Sequence, residues 1–317
     1  MVVHLIVSSA ERSLGTEKGN IPMRSVGLDW AVDPCDRAAV VLEQDADGAF
    51  KVATVDSPVR DEDAQRQCTS TQNHVVAVDI PFAWPRSFTE FVSDWAPLDA
   101  RVKQPPESTE FRYRTTDRFV HEQTTKWPLS VSSNLFALGA RQWAKVVHEA
   151  SLGCQMVVTK TCLPETKPYI IEVYPAATLK VFENHENLSI SGLSTRIVEV
   201  GGQVTEKKYS YKTDESTRQR LVDSLIDVFQ LRADDAERKA LVGRGKQDHG
   251  ADALLAALTG LMFLGVMDHW TVREPVGEQL DHARIEGWIF FPEWSVTTSM
   301  SKRSDAADRD MRRRNRS

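Results

Sequence analysis

Paired cysteines are missing from this sequence. Its four cysteines, Cys35, Cys68, Cys154 and Cys162, are scattered, with no C-x-x-C pair and no His at zinc-finger spacing. That argues against a disulfide scaffold and a thiolate zinc site, and predicts reduced thiols in a cytoplasmic protein. No apolar run approaches the ~18 residues of a membrane span, so no membrane role is expected. An excess of positive charge is missing too. Lys and Arg number 39 against 45 Asp and Glu, a net charge of −6. The chain as a whole is not a basic nucleic-acid sponge, although a local positive groove is compatible with an acidic protein. MVVHLIVSSA (1–10) has no basic residues before its apolar stretch and reads as non-targeting. GRGKQDHG (243–250) lacks the spacing of a phosphate loop and follows a helix instead of a strand.

What is present suffices for a large core: 317 residues, 41% of them apolar. Residues 1–22 fit no later pattern and read as a disordered arm or an overlong start. SKRSDAADRDMRRRNRS (301–317) belongs to a disordered basic tail, taken from 298. One domain is expected over 23–297. It opens with three strands, at 24–31, 37–44 and 49–55, the last two joined by the hairpin turn DADG. A polar surface helix over 59–71 leads to HVVAVDIPFAWP (74–85), whose unbroken apolar run suggests a strand covered on both faces. Residues 86–132, rich in turn residues, charge and aromatics, read as an insertion or long loop region. A helix follows at 134–151, then a strand at 168–182 broken by Pro175. Two helices at 216–243 precede QDHGADALLAALTGLMFLG (247–265), a helix apolar nearly all round and therefore buried.

Acids break these apolar elements. Asp29 interrupts the first strand, where Asp neither packs nor stays hydrated. Asp79 ends the fourth strand, the edge at which open α/β sheets gather ligands. Glu172 lies in a later strand. Asp248 and Asp252, four apart, share one face of the late helix. The plainer readings are a hydrogen-bonded structural acid for Asp29, turn chemistry for Asp79 and an N-cap for Asp248. Glu62 reads as part of a solvated face, and His249, beside two acids, as exposed or capping.

This order of elements and acids resembles the ribonuclease H-like fold, an α/β mixed sheet in which an antiparallel three-strand meander joins parallel strands between flanking helices. GLDWA (27–31), VAVDIPFAWP (76–85), YRTTD (113–117), IEVYPAATL (171–179), DHGADALLAALTG (248–260) and EGWIFFP (286–292) occur in that order. Together they resemble domain-of-unknown-function family 429, predicted ribonuclease H-like nucleases, over roughly 24–292. The resemblance implies that the first and fourth strands lie side by side, about 4.8 Å apart, bringing Asp29 near Asp79 with the helix acids above.

Carboxylates converging in a low-dielectric site repel, so some protonate or a cation neutralises them. Hard oxygen ligands suit Mg²⁺ or Mn²⁺, and two such ions serve phosphodiester hydrolysis. The expected metal ligands are Asp29, bridging both ions, with Asp79, Asp248 and Asp252. Glu172 is placed with Asp29, Asp79 and Asp252 among the catalytic acids. Nucleic acid is the expected partner. Arg112, Arg114, Arg118 and Lys126 are candidate phosphate contacts, Tyr113 or Trp127 a stacking platform, and Arg114 with Asp117 either substrate contacts or a local brace. Two other classes share such a core: a nucleic-acid-binding module without turnover, and a sugar-kinase- or actin-like ATPase. The ATPase is opposed by Ile-Pro after Asp79 and by the want of a second Gly-rich phosphate hairpin.

Overall fold

The computed structural model describes residues 22–295 apart from 95–105, 133, 187, 189, 191–194, 201–202, 209 and 246–247. The expected arm, all but its last residue, and the basic tail lie outside the described residues.

Strands β1 (Arg24–Asp29), β2 (Ala38–Gln44) and β3 (Phe50–Asp56) form the antiparallel meander. Gly48, at φ +89°, makes the turn between the last two possible. Helix α1 (Asp61–Thr69) leads to β4 (Val75–Asp79), which returns parallel to β1. Next come α2 (Arg86–Asp94), α3 (Ser108–Arg112), α4 (Thr115–Thr124) and α5 (Asn134–Glu149). The stretch expected to be a long loop is therefore largely helical where it is described. Its helices span five to ten residues and carry charge on most turns, too little for a period to show.

The second half holds β5 (Met156–Val157), β6 (Tyr169–Val173), α6 (Pro175–Asn184) and a hairpin of β7 (Thr195–Val200) and β8 (Gln203–Lys208). Then follow α7 (Glu215–Val228), α8 (Asp235–Val242), α9 (His249–Leu264), β9 (Trp270–Val272), α10 (Glu278–Glu286), β10 (Ile289–Phe290) and β11 (Pro292–Trp294). Seven strands make one mixed sheet, in the order β10-β6-β4-β1-β2-β3 with β5 also paired to β6. This is the α/β mixed sheet expected, consistent with a ribonuclease H-like fold.

Both faces are covered. On one, Val26, Leu28, Val76 and Val78 pack against Ala64 and Cys68 of α1 and Trp143 and Val146 of α5. On the other, Val75, Ala77, Ile171 and Val173 meet α6 to α9. Gly250 to Phe263 of α9 are all buried, which its apolar circumference requires. Two glycines bring that helix close. A Cβ on Gly27 would overlap the Ala253 carbonyl and the Ala257 backbone, and one on Gly260 would overlap the Ser25 hydroxyl. Ser25 Oγ donates to the Ala257 carbonyl at 2.7 Å, fixing the contact. Gly27 lies two residues before Asp29, on the same face of β1. The close approach therefore carries the first turn of α9 to the acid end of the strand.

Candidate functional site

Asp29 and Asp79 are register partners on adjacent parallel strands. Their side chains leave the sheet on the face that α9 covers, and α9 contributes Asp252 and Asp248 from its start. Asp248 occupies the N-cap position but makes no side-chain capping bond. Instead it faces Lys212, whose ammonium lies 2.9 Å from Asp252 Oδ2 and 3.5 Å from Asp248 Oδ2. Tyr211 Oη donates to Asp252 Oδ1 at 2.7 Å. His249 Nδ1 lies 2.7 Å from Asp29 Oδ2, and its Nε2 lies 3.8 Å from exposed Asp36. No side-chain hydrogen bond reaches Asp79 among the described residues.

These contacts decide how the acids hold their charge. Burial pushes Asp29 up to about 6; the His249 bond opposes this and the Asp252 charge adds to it. Asp79 is raised well above the carboxylate range, first by burial and then by Asp29 and Asp252. Burial and Asp252 raise Asp248. His249 is raised by its bond to Asp29. Burial works against the charge on Lys212, but Asp252 and Asp248 outweigh it and hold the ammonium firmly protonated.

Glu172, expected among the catalytic acids, is not with them. It is in register with Val78, one residue short of Asp79, so it leaves the opposite face of the sheet. There its two oxygens accept from Arg114 at 2.6 and 2.9 Å and from the Phe82 amide at 3.0 Å. Arg114 and Asp117, expected either as substrate contacts or as a local brace, are the other parts of this brace, 1% and 0% exposed. The five guanidinium N–H groups go to Asp117 (two), Glu172 (two) and the Glu286 carbonyl, leaving no donor for a phosphate. Glu286 closes the assembly, accepting from the Arg86 and Thr115 amides at 2.8 Å each. Tyr113 packs on Trp127 at 4.3 Å, Trp127 on His121 at 3.9 Å, and the exposed Arg112 guanidinium lies 5.2 Å over Tyr113.

Lys212 and Tyr211 escaped sequence reasoning. They lie in SYKTD (210–214), a turn before α7 whose only local signal is Asp214 capping that helix. His249 was visible only as a neighbour of two acids.

The profile of a family described as "Protein of unknown function (DUF429)" matches residues 27–265, well over half of the chain. The chain belongs to this family. No curated protein and no solved structure matches it. In this DUF429 chain the matched span includes every acid of the cluster, with Lys212 and His249. It stops short of Glu286, which completes the brace.

A divalent cation is the natural complement to test against this site. Among the described residues, no three His, Cys, Asp or Glu side chains stand arranged as a ready metal site. Lys212 holds Asp252 and Asp248, and His249 holds Asp29. The donor chemistry nonetheless fits a hard cation. Three desolvated carboxylates press on one another, one of them without a hydrogen-bond donor among the described residues, and the permanent counter-charge described beside them is the Lys212 ammonium, on a flexible stem 52% exposed. Among the described residues no helix is long and apolar enough to cross a membrane.

Proposed function

We propose that this protein is a metal-dependent phosphodiesterase acting on nucleic acid, with Asp29, Asp79 and Asp252 as its catalytic acids. One observation carries the reading: Asp29 and Asp79 abut at the same end of two parallel strands, and Asp252 is brought over them by a helix seated on Gly27. Such a set, buried and short of positive charge, is stable as carboxylates only with added cations. Asp29, Asp79 and Asp252 would hold Mg²⁺ or Mn²⁺, with Asp248 beside them. Bound there, the metal supplies an activated water and charge stabilisation for a phosphodiester.

The remaining work belongs to the chain. Asp79, raised first by burial and then by Asp29 and Asp252, would have to be a deprotonated carboxylate to hold the cation. His249 orients the Asp29 carboxylate through Nδ1, leaving Asp29 Oδ1 outside that bond. Tyr211 fixes one oxygen of Asp252. Lys212 balances Asp252 and Asp248; with a cation held by these acids its ammonium would be displaced and available to meet an anionic oxygen of the substrate.

The test is incubation of the purified protein with labelled single-stranded and duplex DNA, RNA and hybrids in Mg²⁺ or Mn²⁺. Metal-dependent cleavage is expected, falling at least a hundredfold in Asp29→Asn and Asp252→Asn, the scale of lost electrostatic stabilisation. A companion melt in Mn²⁺ is expected to stabilise the natural protein and not these variants. Cleavage that survives both substitutions overturns the assignment.

A further inference from the structure

Beside the acids lies a pocket of about 340 Å³, lined by Asp79, Asp252 and Lys212 and otherwise mostly by apolar groups. Its volume is at the small end of the ~300–1,000 Å³ range of ligand pockets. Ile80, Pro81, Pro128, Leu129, Tyr174 and Pro175 form much of the wall. Tyr174 Oη donates to the Trp127 carbonyl at 3.2 Å, tying the two sides of the wall together. Trp127 is itself held by Tyr113 and His121, and the three prolines add backbone stiffness. Leu129 is 59% exposed, so the apolar wall runs out to solvent. Arg114 and Glu172 also border the pocket, but their polar atoms are consumed by the brace.

An occupant must match that division. Its anionic part belongs at the Lys212 and acid end, and the rest must be flat or apolar and about the size of one ring system. The part of a nucleic acid that fits such walls is a base, whose faces stack without regard to sequence. A base within a duplex is stacked on both sides and must be unpaired and extruded first, which opposes binding. We infer that this pocket receives one unpaired base of the substrate strand. The site therefore acts on single-stranded nucleic acid in preference to duplex, with little selection among bases. This rests on the phosphodiesterase reading above.

The experiment compares binding of a short fluorescein-labelled single strand and its matched duplex by anisotropy, with Ca²⁺ in place of Mg²⁺. The natural protein is expected to bind the single strand about tenfold more tightly, the scale of one stacked base. Ala176→Trp, at a half-buried position on the pocket, fills it and should abolish that preference while leaving duplex binding and the melting temperature unchanged. Leu129→Asp, at an exposed position, should likewise abolish the preference, by making the apolar wall polar, without demands on folding. Equal binding of the two forms, binding of neither, or a preference that survives both substitutions overturns the inference. Cleavage in Mn²⁺, assayed alongside, separates the two readings. Asp29-dependent cutting that ignores both substitutions removes the pocket and keeps the nuclease. Strand preference lost on filling the pocket, without any cutting, keeps the pocket and removes the nuclease.

Discussion

Arg114 spends all of its donors inside the protein, and this separates it from a phosphate-binding arginine on an exposed loop. Arg114→Ala leaves Glu172 and Asp117 charged, buried and unpaired. We expect a loss of about 3–5 kcal/mol in chemical denaturation, with Arg114→Lys little better because a point charge cannot span both carboxylates. Lys212 differs in kind, since its stem is half exposed and its ammonium serves two acids. Lys212→Met is expected to lower the metal-free melting temperature and to tighten Mn²⁺ binding in calorimetry by about tenfold, equivalent to ~1.4 kcal/mol. Unchanged or weaker Mn²⁺ binding would count against displacement. Proton linkage gives a further expectation. Asp29 and Asp79 bind protons more tightly folded than unfolded, so their stabilising contribution is present near pH 4 and lost as pH rises, for Asp29 through about 6. His249, also raised, loses its contribution as pH rises above its ordinary value near 6.5. Metal-free stability should therefore fall between pH 4.5 and 7.5, by about 2 kcal/mol from Asp29 alone, and Asp79→Asn should flatten the curve. A flat or rising profile in the natural protein contradicts this.

Among the elements, β1 and α9 decide the site. Gly27 lets the helix backbone touch the strand, and Gly260 does the same one strand-end away at Ser25. Gly27→Ala has no side chain to push aside, only backbone. It should cost about 3 kcal/mol or more in denaturant melts, and should weaken Mn²⁺ binding even where the protein still folds. Acids in apolar strands are conspicuous because their desolvation cost is written in the residue type; Asp29, Asp79 and Asp252 were legible for that reason. Glu172 has the same signature, but its face depends on register with β4. One position separates its partner Val78 from Asp79, and that offset is invisible in one strand's sequence. The helices within 86–132 were illegible because each is too short to display a period. Lys212 was illegible because a lysine in a polar turn is ordinary until tertiary packing places two carboxylates beside it.

At the scale of the whole molecule, a chain with net charge −6 concentrates several acids in one partly enclosed site and, among the described residues, answers them with Lys212 and His249. That imbalance sets the general affinity expected for small cations, and it works against non-specific attraction of nucleic acid. The meander and the covered fourth strand were legible from each segment's own period and turn residues, and their union in one mixed sheet followed from the resemblance to the ribonuclease H-like fold. The brace of Arg114, Asp117, Glu172 and Glu286 was not legible, because it joins residues up to 172 positions apart. If Asp29, Asp79 and Asp252 share a divalent cation, anomalous diffraction from crystals grown in Mn²⁺ will show a peak about 2.1 Å from carboxylate oxygens of Asp29 and Asp79, with Lys212 withdrawn from Asp252. Ordered carboxylates with no peak between them, and Lys212 still in place, would overturn that sharing.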